Sequence, residues 1–152
     1  MADVAITKGE TPARDWIRLS FPDGTARHAV VHVVHDLPHL VVESAFGLGG
    51  GLWGTLARGG LCDAWPGHTV ARAAVNAVVN RWRNGPDTPD GVRDRLRGHS
   101  PQAADLADGL DDETIRVAAA GVARLYREWR AMPPGGTLHL TWPLHDSWLR
   151  LQ

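Results

Sequence analysis

The stretch WIRLSFPDGTARHAVVHVV, residues 16–34, decides the fold class of this chain. In its first part the apolar residues alternate with polar ones, as they do in a strand with one buried face. The segment at 22–25, PDGT, favours a turn, because proline presets its φ angle and glycine tolerates a positive φ. A second β-rich run covers residues 28–34. The stretch therefore predicts a β-hairpin.

Two later segments extend this fold. Apolar residues recur at helical spacing over residues 112–131, and the sequence PPGG at 133–136 ends that helix. Alternation resumes over residues 137–142, which predicts a third strand in the same sheet as the hairpin. We therefore expect an α+β fold, with a three-stranded, mostly antiparallel sheet and helices packed on one face, among them the helix at 112–131.

The chain reads as one domain over residues 1–152, since it contains no internal repeat and no low-complexity linker. Residues 1–14 lack a clear periodicity, so we expect a loose N-terminal arm. Residues 69–83 predict a helix with only a narrow polar stripe. So wide an apolar surface must be covered on more than one side, either inside the domain or in a homodimer.

Composition excludes several classes of protein. The formal net charge is −1, which gives no bulk attraction to nucleic acid or to an acidic membrane. The N-terminus lacks a secretory signal pattern, and no apolar run reaches the length of a membrane span. Cys62 is the only cysteine, which suits a reducing compartment, so we expect a cytoplasmic protein. Cys62 is more typical of a small buried hydrophobe than of a nucleophile paired with His68.

The segment HDLPHLVVE, residues 35–43, holds the main candidate site. It has the outline of the zinc-binding pattern HExxH, with Asp36 in place of the glutamate. Because Pro38 opposes a helix that would include His35, we expect His35 at a strand end and Asp36 as the N-cap of the next helix. On that helix His39 and Glu43 would lie one turn apart.

Two imidazoles and one carboxylate form a ligand set that suits zinc with an open position, or non-haem iron. We therefore predict that His35, His39 and Glu43 are metal ligands and that Asp36 is a catalytic base or an orienting group. The corresponding function is a small metal-dependent enzyme acting on a small-molecule substrate. Hydrolysis is favoured over an iron-dependent oxidation.

A structural interpretation of the same residues stays open. Asp36 would then only cap a helix, and His39 and Glu43 would be an ordinary surface pair. In that case the protein is a non-catalytic ligand-binding or homodimerisation module without a metal.

Three segments of the chain share a pattern with other proteins: HDLPHLVVE, the glycine-rich sequence up to Trp53, and the run from Trp129 into PPGGTLHLTWP at 133–143. Together they resemble small uncharacterised bacterial proteins with an HDxxHxxxE segment. The resemblance covers about residues 16–143 and implies no activity. It implies only that these residues belong to one domain.

Overall fold

The computed structural model describes residues 1–11, 15–31, 33–59, 68–80 and 85–151. Four strands and seven helices are assigned within these ranges. Their order along the chain is β1 (Ala2–Thr7), β2 (Asp15–Ser20), β3 (Ala26–Val31), α1 (Val33–Phe46), α2 (Leu52–Ala57), α3 (His68–Val79), α4 (Pro89–Arg97), α5 (Pro101–Gly109), α6 (Asp112–Ala131), β4 (Thr137–Trp142) and α7 (Asp146–Leu149).

The sheet is antiparallel, with four strands in the order β3-β2-β1-β4. The predicted α+β class, the hairpin and the C-terminal strand are therefore confirmed. The expected number of three strands is wrong, because the N-terminal segment contributes β1, an inner strand. In β1 the residue Ile6 pairs with Ile17 of β2 on one side and with Leu138 of β4 on the other.

The expectation of a loose arm over residues 1–14 is wrong for residues 2–7, which form β1, and residues 12–14 lie outside the described part of the chain. Ala2, Val4 and Ile6 of β1 are fully buried, and the residues between them are not. The alternation is short and contains small alanines, so it resembles an aperiodic terminus in the sequence. Neighbouring strands on both sides supply the hydrogen bonds that order this segment.

The two faces of the sheet differ in burial. Alternate residues of β1 and β2, such as Val4 and Ile17, belong to the same hydrophobic core as the helices. The opposite face presents polar residues to solvent, among them Asp3, Arg18 and His139. This division is typical of an antiparallel sheet with one packed and one wet face.

Helix α6 has the bounds that the sequence predicts. Its N-cap Asp111 accepts a hydrogen bond from the amide of Thr114, and this bond holds the pKa of Asp111 below its ordinary value. The main neighbour of α6 is α1. At Gly121 the two helices are close, since an added Cβ would lie 2.8 Å from Cγ1 of Val41.

Helix α3 ends at Val79, and residues 81–83 of the predicted helix lie outside the described residues. Over the described helix, the expectation that a wide apolar surface is covered is confirmed. Ala71, Ala74 and Val75 are almost fully buried, and α3 contacts α1, α4, α5 and α6. The apolar surface of α3 is therefore buried inside the domain. A homodimer is not needed to cover it.

Along the described parts of the chain, no helix is long and apolar enough to cross a membrane.

Lys8, the chain's single lysine, joins the end of α6 to the N-terminal strand. Its Nζ donates hydrogen bonds to the carbonyls of Trp129 and Met132, at 2.9 and 2.8 Å. It also lies 5.6 Å from the centre of the Trp129 ring. A cation at a helix C-terminus is stabilising because it meets the negative end of the helix dipole and the last unpaired carbonyls.

We expect Lys8→Met to lower the free energy of unfolding by about 2 kcal/mol, because two charge-assisted hydrogen bonds are lost. Urea denaturation measures the difference. Arg130→Met is the matched control, since it removes a positive charge from the last turn of the same helix. Equal losses in the two variants would show that net charge at the helix end, and not the bonds of Lys8, is responsible.

Candidate functional site

Helix α1 starts earlier than the sequence predicts. It begins at Val33 and continues through Pro38, so His35 and Asp36 both lie inside it. The prediction that His35 ends a strand and that Asp36 is the N-cap is therefore wrong. Pro38 removes one backbone donor from the helix, at a cost of about 3 kcal/mol. A contact from outside the local sequence lies next to the proline, since the indole Nε1 of Trp53 donates a hydrogen bond to the carbonyl of Asp36 at 2.9 Å.

The continuous helix changes the relation between the two histidines. His35 and His39 are four residues apart in one helix, which places their backbone positions on the same face, one turn from each other. This is the arrangement that the HExxH pattern requires. The side chain of His35 lies outside the described part of the structure, so its approach to His39 stays a prediction.

His39 and Glu43 form a buried pair. Nδ1 of His39 lies 2.9 Å from Oε1 of Glu43, and the two residues are 7% and 1% exposed. The interpretation of this pair as a solvated surface contact is wrong. Burying a carboxylate is costly unless its oxygens are hydrogen-bonded, so the position of Glu43 needs further partners.

Those partners are backbone amides at the start of α2. Oε1 of Glu43 accepts from the amide of Leu52 at 2.6 Å, and Oε2 accepts from the amide of Trp53 at 3.0 Å. Glu43 thus occupies the position of a helix-capping group for α2, whose own N-cap residue, Gly51, provides no side-chain bond. The carboxylate links α1, the His39 ring and α2 at one point.

The glycine-rich connection fits tightly around this carboxylate. A Cβ on Gly51 would lie 2.2 Å from Cδ of Glu43, and one on Gly54 would lie 2.1 Å from the carbonyl oxygen of Gly49. The amide of Leu48 donates to the carbonyl of Glu43 at 2.8 Å. The glycines therefore allow the backbone to approach the buried charge.

The geometry defines which nitrogen of His39 faces Glu43, namely Nδ1. A carboxylate that accepts a hydrogen bond from Nδ1 favours the neutral tautomer with its lone pair on Nε2. Histidines that bind metals or act as bases commonly have this partner on the other nitrogen. The pair His39–Glu43 can therefore present an oriented imidazole.

Tryptophans are more often core residues than pocket walls, but Trp65 and Trp53 lie near glycine-rich loops in the sequence and are therefore also candidates for the wall of a ligand pocket. The structure supports the core interpretation for Trp53. This residue is 1% exposed and belongs to the hydrophobic core, with its indole bonded to α1. Trp65 and Cys62 lie outside the described residues, so the predictions for them remain as they were.

The amides of Leu52 and Trp53 are the functional groups that the sequence did not indicate. Backbone donors leave no signature in the residue types, and only the glycines around them could have suggested a close approach. Within the described ranges, no group of three or more His, Cys, Asp or Glu residues is arranged to hold a metal ion. The side chain of His35 is not among those that the structure describes.

Comparison with known proteins adds no assignment to this geometry. No protein-family model matches the chain, and neither a curated protein nor a solved structure is significantly similar to it. Any function for this chain must therefore be inferred from its own sequence and structure.

Proposed function

We propose that the protein is a small metal-dependent enzyme that acts on a small molecule, with hydrolysis as the favoured reaction and iron-dependent oxidation as the second. The observation that supports this proposal is the buried pair of His39 and Glu43, with the Glu43 carboxylate held by two backbone amides of α2. Such a carboxylate orients an imidazole much as outer-shell carboxylates do in metal sites.

Within this proposal, His39 and His35 hold the metal, with His39 using Nε2. We assign Glu43 an orienting role in place of the ligand role that the sequence suggests, because Oε1 already accepts two hydrogen bonds and Oε2 one. Asp36 follows His35 directly, at the position of the glutamate in the HExxH pattern. We propose that Asp36 either completes the ligand set or accepts a proton from the attacking water.

A zinc ion in such a site would supply a water molecule with a lowered pKa. The contribution of the chain itself is the fixed direction of the His39 ring. A shift of the ring by about 1 Å would be costly for catalysis, which is a reason to hold the orienting carboxylate with backbone groups.

The first test is the metal content of tag-free protein, measured by inductively coupled plasma mass spectrometry after dialysis. We expect about one zinc or iron per chain in the wild type and none in His39→Ala, because a structural site or an open catalytic site needs its imidazole ligands. Far-ultraviolet circular dichroism confirms that the variant is folded. His145→Ala is the matched control, since His145 is exposed at the start of α7.

The same measurement separates the metal site from its alternative, the non-catalytic module. If the pair only joins α1 to α2, wild-type protein contains no metal above background, even after incubation with zinc or with iron(II) under anaerobic conditions. That result would end the enzyme proposal and leave the binding or dimerisation module.

A further inference from the structure

The outer face of the sheet carries a cavity that is separate from the pair on α1. Its volume is about 470 Å³, and its walls come from β1, β2, β4 and α7. The residues from the strands are mostly those whose side chains alternate away from the hydrophobic core. His39, Glu43 and Asp36, the described residues of the proposed enzyme site, do not line this cavity.

The strand register defines the floor of the cavity. Ala5 in β1 pairs with Arg18 on one side and with His139 on the other, so all three residues point to the same face. Strands in a sheet are about 4.8 Å apart, which places Arg18 and His139 about 10 Å from each other at their backbones. The methyl group of Ala5 leaves the space between them open.

The groups around this floor are suited to an anion. Arg18 provides a permanent positive charge, and no described hydrogen bond or ion pair engages its guanidinium. His139 and His145 line the cavity as well, and Ser147 adds a hydroxyl. An arginine with additional side-chain donors is the usual combination for binding a phosphoryl group, whose oxygens accept hydrogen bonds from several directions.

Two further residues limit the identity and the position of the ligand. Asp3 also lines the cavity, two residues before Ala5 in β1, where it pairs with Thr141. Because its carboxylate repels an anion, the negative group of a ligand must lie beside Ala5. Trp148 forms an apolar wall, and the Arg124 guanidinium stacks on its ring at 3.9 Å from the ring centre. A ligand with an apolar or aromatic body would contact this wall.

We infer that this cavity binds a small organic phosphate, with its phosphoryl group over Ala5 between Arg18 and His139 and its apolar body against Trp148. The site does not depend on the proposed metal or on the His39 pair. The ligand class follows from the charge of Arg18, the surrounding donors and the ring at the far wall.

Isothermal titration calorimetry with phenyl phosphate tests this inference. We expect saturable binding that is weaker by about tenfold or more in Arg18→Met, because a charge-assisted contact is lost. Ala5→Leu should weaken binding similarly by filling the floor while all charges remain. Asp3→Asn should strengthen binding, because among the described residues it removes the only carboxylate that lines the cavity.

Arg127→Met is the matched control, since Arg127 is an exposed arginine on α6 and does not line the cavity. It should leave the affinity unchanged. Inorganic phosphate and phenol should each bind more weakly than phenyl phosphate, because each lacks one of the two contacts. Equal affinity of Arg18→Met and wild type, no saturable binding, or inorganic phosphate binding as tightly as phenyl phosphate would overturn the inference.

Discussion

Glu43→Gln is expected to lower the free energy of unfolding by about 3 kcal/mol. Among the substitutions that preserve the size of the side chain, this is the largest effect that we expect. The wild-type carboxylate accepts hydrogen bonds from the His39 ring and from the amides of Leu52 and Trp53. A glutamine amide has one oxygen and one NH₂ group. At least one buried donor must then face another donor or lose its acceptor.

Urea denaturation followed by tryptophan fluorescence measures this loss. Glu128→Gln is the matched control, because Glu128 is a partly exposed helical glutamate whose nearest ion pair, to Arg124, is 3.9 Å long. The control should change stability by no more than about 0.5 kcal/mol. A Glu43→Gln protein as stable as the control would mean that the carboxylate does not hold α1 and α2 together.

The consequence for function can be measured in the same protein. If Glu43 orients His39, Glu43→Gln should reduce metal affinity by about 10- to 100-fold without abolishing it, as removal of an outer-shell partner does. Complete loss of metal in a folded Glu43→Gln protein would instead favour direct ligation by Glu43.

Gly54→Ala is the second large effect, with an expected loss of about 3 kcal/mol in the free energy of unfolding. The added Cβ would lie 2.1 Å from the carbonyl oxygen of Gly49, and a backbone atom cannot rotate away as a side chain does. The intrinsic preference of helices for alanine is worth at most about 1 kcal/mol and has the opposite sign. The clash with the Gly49 carbonyl should therefore outweigh the helix preference, and the variant should be less stable than the wild type.

Gly109→Ala provides the matched control with the opposite expected sign. Gly109 is the last residue of α5, and a Cβ there would have nothing within 4 Å. Alanine should stabilise the protein by about 0.5 to 1 kcal/mol, because it restricts the unfolded chain and favours the helix. Chemical denaturation compares the two variants. A neutral or stabilising Gly54→Ala would show that the connection between α1 and α2 can shift away from α2.

Elements whose signals are local can be predicted from the sequence. The alternation and turn at 16–34 predicted the hairpin, and the helical spacing over 112–131 predicted α6 with its observed bounds. The strand at 137–142 was predicted in the same way. The i, i+4 spacing also identified His39 and Glu43 as neighbours, since this relation depends only on the geometry of one helix.

The place of β1, the path of α1 and the burial of the site depend on contacts between distant segments. β1 is an inner strand because it pairs with β4, more than a hundred residues away in the chain. Pro38 lies inside α1 although local preference opposes it, and the indole of Trp53 bonds to the helix just before the proline. The same segment provides the two backbone amides whose hydrogen bonds stabilise the buried carboxylate of Glu43. Each of these features depends on contacts between distant segments, which residue types and spacing along one segment do not encode.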